Sequence, residues 1–232
     1  MRPVAAGLVA LVTVVTGVTS YFAFAACDAG SLGFWALAAA PVVALGALAA
    51  AWAVREDYLA EWLLPRWGDL TVSLLGGGAL YAGAWAFVRF VAPAGSRWEV
   101  WLVPLYGQIG DPRDLHAHVF PLVATLGVAA LAEELTWRGM VTQLLAERVG
   151  SRSAWVWSAA LYAASYAPTM WALRTAAGLN PILVLAGAGV GLGCGALVRS
   201  TARLLPAVLA HAVFDCAVVL IAPLWGPFAV RL

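Results

Sequence analysis

Val119-Phe120-Pro121-Leu122-Val123-Ala124-Thr125-Leu126-Gly127-Val128-Ala129-Ala130-Leu131-Ala132-Glu133-Glu134-Leu135-Thr136-Trp137-Arg138-Gly139-Met140 decides how this chain is read. A long uncharged apolar run ends in two adjacent carboxylates. A charge deep in a bilayer costs about 2.5–3.5 kcal/mol on insertion scales, so such groups are kept for a reason. The rest of the sequence says that the surroundings are lipid. Of 232 residues, 63% are hydrophobic and 11% charged. Mean hydropathy is +0.89. A soluble domain carries about 25% charged residues, and this chain cannot cover a globule with polar surface. Lipid admits helices or closed barrels. Barrel strands alternate apolar and polar residues. The apolar runs here are unbroken and long enough to span as helices.

An all-α, polytopic transmembrane bundle of about seven to eight spans is therefore expected. The spans fall near residues 4–26, 32–54, 70–92, 118–146, 154–172, 181–198 and 203–222. The segment Trp98–Tyr106 reads as interfacial, because Trp and Tyr favour the headgroup level. It reads equally as a short eighth or re-entrant helix. Phe24-Ala25-Ala26-Cys27 faintly resembles a lipoprotein cleavage site, but the preceding apolar run exceeds a signal-peptide core, so a retained first span is expected. With the N-terminus cytoplasmic, that side carries Arg2, Arg55, Arg66, Arg148, Arg152, Arg199 and Arg203. The other side carries Arg97, Arg113, Arg174 and Arg231. That bias favours the N-inside orientation. All basic residues are Arg, and with abundant Ala, Gly, Val and Trp this suggests a GC-rich bacterial source. A net charge of +1 gives no reason to expect a nucleic-acid partner.

Adjacent helix positions point about 100° apart, so Glu133 and Glu134 serve different surfaces. Glu134 and Arg138 are four apart in the favourable order and offset each other. Glu133 has no partner in its own helix, which makes it the candidate for chemistry: a carboxylate in an apolar pocket can act as a general base. A second cluster, His211-Ala212-Val213-Phe214-Asp215, places an imidazole and a carboxylate on one face of the last span. Intramembrane ionisable groups face a bundle interior or a wet cavity. His116 and His118 lie about 20 Å before Glu133 along the helix and read as boundary residues. Cys27, Cys194 and Cys216 form no disulfide framework and read as small core residues. Gly187, Gly191 and Gly195 share one face of span six, where a neighbouring helix can approach or a substrate groove can border it. There is no HExxH motif, no GxSxG elbow and no phosphate loop.

Glu133-Glu134-x-x-x-Arg138 followed by an intramembrane His211-x-x-x-Asp215 resembles the CaaX proteases and bacteriocin-processing enzymes, the CPBP or Abi family of glutamic-type intramembrane endopeptidases. The resemblance covers about residues 118–222. It implies a water-holding conical cavity within a four-helix catalytic core. Glu133 would activate water, His211 and Asp215 would stabilise the oxyanion, and Glu134 and Arg138 would hold the cavity together. It divides the chain into N-terminal transmembrane helices with the interfacial segment (1–115) and a catalytic core (116–232). The family's Phe-x-x-x-His motif reads here Tyr162-Ala163-Ala164-Ser165-Tyr166. Tyr162 stands for Phe and Tyr166 takes the His position. A phenol donates hydrogen bonds but is a poor base near neutral pH, so Tyr166 is expected to orient water or oxyanion. This also disfavours a metal, and no cofactor is expected.

The expected function is intramembrane endopeptidase activity near the C-terminus of a membrane-embedded protein or peptide, in an inner (plasma) membrane. A non-catalytic relative, acting as scaffold or immunity protein, is the alternative that Tyr166 raises. An ion-coupled transporter would show internal repeat symmetry, and the two halves show none.

Overall fold

A computed structural model describes residues 3–25 and 29–225. Cys27, most of the Phe24–Cys27 motif's end, Arg2 and Arg231 lie outside the described residues. The described chain is helical throughout, with one isolated bridge between Thr175 and Gly178.

The helices are α1 (Pro3–Ala23), α2 (Leu32–Arg55), α3 (Leu59–Leu63), α4 (Asp69–Phe90), α5 (Leu102–Ile109), α6 (Pro112–Ala117), α7 (Val119–Glu134), α8 (Thr142–Val149), α9 (Ser151–Ser165), α10 (Thr169–Ala172), α11 (Ile182–Thr201) and α12 (Leu205–Cys216). Five stretches are long and apolar enough to cross a bilayer: α1, α2, α4, the continuous α7–α8 run and α11. The chain is a multi-pass helical membrane protein. Large apolar side chains such as Leu11, Leu48, Leu75 and Phe120 face outward, where acyl chains would meet them.

Two expected spans are shorter than the sequence suggested. Residues 154–172 divide into α9 and α10. Pro168 lies in the break, and its lack of an N–H ends the hydrogen-bond ladder there. Residues 203–222 form α12 and a π-helical turn, Ala217–Ile221. The fourth span is instead longer, running from Val119 to Val149 through a π-helical segment, Leu135–Val141. Gly150, at φ 78°, stops it.

Close approaches set the packing. A Cβ on Gly46 of α2 would lie 2.4 Å from Cβ of Ala132, the residue before the paired glutamates. A Cβ on Gly77 of α4 would lie 2.8 Å from the carbonyl oxygen of Ala210, one residue before His211. The glycine face of α11 is filled by α9: Gly187 meets Tyr166, Gly191 meets Ala159 and Gly195 meets Trp155. N-terminal and C-terminal helices thus interleave in one bundle.

The two ends differ in chemistry. At one, Arg203 holds Asp69 through both guanidinium nitrogens at 2.7 and 2.5 Å, and donates to the Leu64 carbonyl. Ser73 Oγ donates to the Asp69 carbonyl at 2.6 Å and reaches the Pro206 carbonyl at 3.0 Å. At the other, α5 and the turn before it are tied by single hydrogen bonds, most of them neutral. Gln108 Nε2 donates to the Ala23 carbonyl (2.8 Å), Tyr106 Oη to that of Val218 (3.1 Å), and Asn180 Nδ2 to that of Trp101 (2.9 Å) just before α5. Burial pushes the Tyr106 phenol up to about 12, so it remains a donor through the neutral range. The expected interfacial segment is therefore a 3-10 turn, Glu99–Trp101, followed by this short helix.

Candidate active site

Glu133 and Glu134 close α7, where the backbone widens into the π-helical segment. Such insertions shift the phase of side chains and recur at functional sites. The Trp137 carbonyl inside it accepts Thr142 Oγ1 at 2.8 Å and Ser158 Oγ at 2.6 Å. The second contact fixes the register of α9 against α7.

Glu134 turns into the protein and is fully buried. Its Oε1 lies 3.2 Å from Arg138 Nη1 and 2.9 Å from His211 Nδ1. The expected Glu134–Arg138 pair forms, and it also takes one edge of the imidazole. The Arg138 guanidinium sits over the Tyr162 ring, 4.5 Å from its centroid, a cation–π contact that strengthens when dry.

Glu133 points the other way and keeps 14% of its side chain exposed. Both of its oxygens accept phenols from the end of α9: Oε2 from Tyr162 and Oε1 from Tyr166, the residue that caps the helix, at 3.1 Å. His211 Nε2 stands 3.8 Å from Glu133 and 3.6 Å from Asp215. Asp215, four residues along α12, is 24% exposed. Glu133, Tyr162, Tyr166, His211 and Asp215 all line one cavity of about 600 Å³. Of the residues singled out by sequence, Glu133, Tyr166, His211 and Asp215 meet around a common void, while Glu134 and Arg138 lie behind it.

Residues 115–217 match the family model described as type II CAAX prenyl endopeptidase Rce1-like. That stretch is similar to the Rce1-like domains of the CPBP family. Comparisons with curated proteins and with solved structures gave no match. The matched stretch begins within α6 and ends just beyond Asp215, and so contains every polar residue of the cluster.

Beyond its polar end, the cavity is apolar. Phe34 and Trp35 of α2, Phe87 of α4, Leu102 and Leu105 of α5, and Ile182 of α11 line it. Helices outside the matched stretch, α1, α2, α4 and α5, therefore shape the cavity that the Glu133 carboxylate faces. No Arg lines the cavity among the described residues.

Cys194 was expected to be a small core residue, and it is buried. Its Sγ nonetheless lies in a cluster with Glu134 and His211 whose donor atoms are all within 4.8 Å of one another. These groups are a poor fit to a divalent cation. Glu134 Oε1 already holds both Arg138 and His211, and a metal would displace the imidazole and sit beside a guanidinium. His116 lies in the last turn of α6, and His118 caps that helix and opens α7.

Sequence reasoning missed the Tyr162 phenol, taking the ring as a stand-in for Phe. The signal was present: Tyr162 and Tyr166 are four apart and share a helix face.

Proposed function

We propose that this chain is an intramembrane endopeptidase in which Glu133 activates water against a peptide bond. The observation that carries this reading is the cavity shared by Glu133 and His211, with Nε2 of the ring 3.8 Å from the carboxylate. Two ionisable groups on separate helices facing one space is the arrangement general-base hydrolysis needs.

Glu133 takes a proton from water as the water oxygen forms a bond to the carbonyl carbon. The carbonyl π pair moves onto oxygen, giving a tetrahedral oxyanion. The Nε2–H of a protonated His211 is the donor beside that oxygen, and preorganised donors supply much of such catalysis, while Tyr166 Oη keeps its one proton on Glu133 Oε1 and acts through the base. Glu134 Oε1 on Nδ1 holds the ring's orientation, and Asp215, 3.6 Å from Nε2, adds negative charge that favours the imidazolium. As the oxyanion collapses, the C–N bond breaks and the proton on Glu133 passes to the leaving amine. The apolar lining fits a membrane-embedded segment, with cleavage near its C-terminus. Residues 116–232 then supply the chemistry and 1–115 shape the access. An inner (plasma) membrane with the N-terminus cytoplasmic completes the proposal.

A second reading, a non-hydrolytic scaffold or immunity protein, is favoured by one observation: both Glu133 oxygens are engaged by phenols. Reconstituted full-length protein with a membrane peptide library, read by mass spectrometry, separates the two. Cleavage that is lost in Glu133→Gln, at unchanged expression and thermal midpoint, supports the peptidase. Products that persist in Glu133→Gln exclude this carboxylate as the base.

A further inference from the structure

Tyr162 is 3% exposed. Its ring lies 5.4 Å from that of Trp137, 5.3 Å edge-on from Tyr166, and under the Arg138 guanidinium. All three contacts involve the ring and leave the hydroxyl free for another task. A buried hydroxyl without a partner is costly, and phenylalanine would fill the same space without that requirement. The hydroxyl donates to Oε2 of Glu133, while Tyr166 donates to Oε1. The two hydroxyls lie 3.4 Å apart.

Two donors from one helix face, one on each oxygen, fix both the position and the plane of the carboxylate. A carboxylate offers about four lone-pair sites, so two remain for a proton from the cavity side. The frame behind the donors is also fixed. Ser165 Oγ donates to the Tyr162 carbonyl at 2.7 Å, and Thr169 Oγ1 to that of Tyr166 at 2.7 Å. Gly187 leaves room for the Tyr166 ring against α11, since a Cβ there would lie 3.1 Å from Cδ2 of the ring.

We infer that Tyr162 is a positioning residue: with Tyr166 it forms a two-phenol clamp that aims the Glu133 carboxylate into the cavity. This deepens the peptidase reading and rests on it for the catalytic consequence, but the clamp itself is a property of the resting protein.

The test has two arms on purified full-length protein. Infrared difference spectroscopy with labelled glutamate identifies the Glu133 carboxylate band as the one lost in Glu133→Gln. Tyr162→Phe, which keeps the ring, shifts that band, and 3-fluorotyrosine at position 162, a stronger donor, shifts it in the opposite sense. In cleavage assays Tyr162→Phe lowers kcat about tenfold to a hundredfold with KM unchanged, the pattern of a disturbed general base. In the Glu133→Gln background it costs nothing further. A band that stays in place with either replacement overturns the clamp, as does a raised KM with kcat retained. If the band moves but the wild-type protein cleaves nothing, the clamp stands and the peptidase reading falls.

Discussion

His211 commits its Nδ1 edge to Glu134, 2.9 Å away, and so turns Nε2 toward the cavity and Glu133. The adjacent glutamates divide the work: one is sealed in and holds the ring, the other faces the open space.

Removing Glu134 should therefore damage the fold as well as the chemistry. Glu134→Gln leaves Arg138 a buried, uncompensated charge, which costs about 3–5 kcal/mol when a partner is lost. Thermal unfolding in detergent should show a large drop in midpoint. The double variant Glu134→Gln/Arg138→Met should recover much of it. A single variant as stable as the parent would contradict the burial described.

Asp215→Asn should be milder. Asp215 is partly exposed and 3.6 Å from His211, so the ring keeps its Glu134 contact without it. We expect kcat to fall about tenfold with little change in midpoint, whereas His211→Ala should lower activity far more. Steady-state kinetics on the two variants checks the order.

Gly187→Ala should act on Tyr166. A Cβ there meets Tyr166 Cδ2 at 3.1 Å and the Ala163 backbone at 3.4 Å, so the ring must shift by a few tenths of an ångström. Activity should drop while the fold persists. Gly46→Ala should do worse, because its Cβ would overlap backbone of Ala132 at 2.6 Å and force α2 away from α7. Comparing their unfolding midpoints tests the distinction.

Gln108→Ala and Asn180→Ala should loosen α5 and leave the ionic cluster alone. Limited proteolysis should find faster cutting near residues 95–110. Unchanged protection would show that packing alone holds this helix.

The fold class was legible because lipid imposes it: long uncharged runs have few structural options. Glu133, Glu134, Arg138, His211 and Asp215 were legible because charge in such runs is costly. Helix lengths were harder. Pro168 divides the expected fifth span, yet Pro is tolerated in membrane helices when neighbours satisfy the freed groups. The π-helical segments leave no pattern in composition. The division of His211 between two glutamates was invisible too, since it depends on how α12 rotates against α7. Asp69 and Arg203 looked like loop charges, and nothing local showed that α4 and α12 bring them together.

The bundle is fastened unequally. One pole is locked by the two-pronged Arg203–Asp69 contact, the opposite pole by single hydrogen bonds that heat or detergent can exchange for water one at a time. Warming should therefore loosen α5 first, with amide exchange rising around Leu102–Ile109 well before it rises around the glutamates. On the peptidase proposal, such a preparation keeps its cleaving groups and cuts peptides that the native assembly refuses.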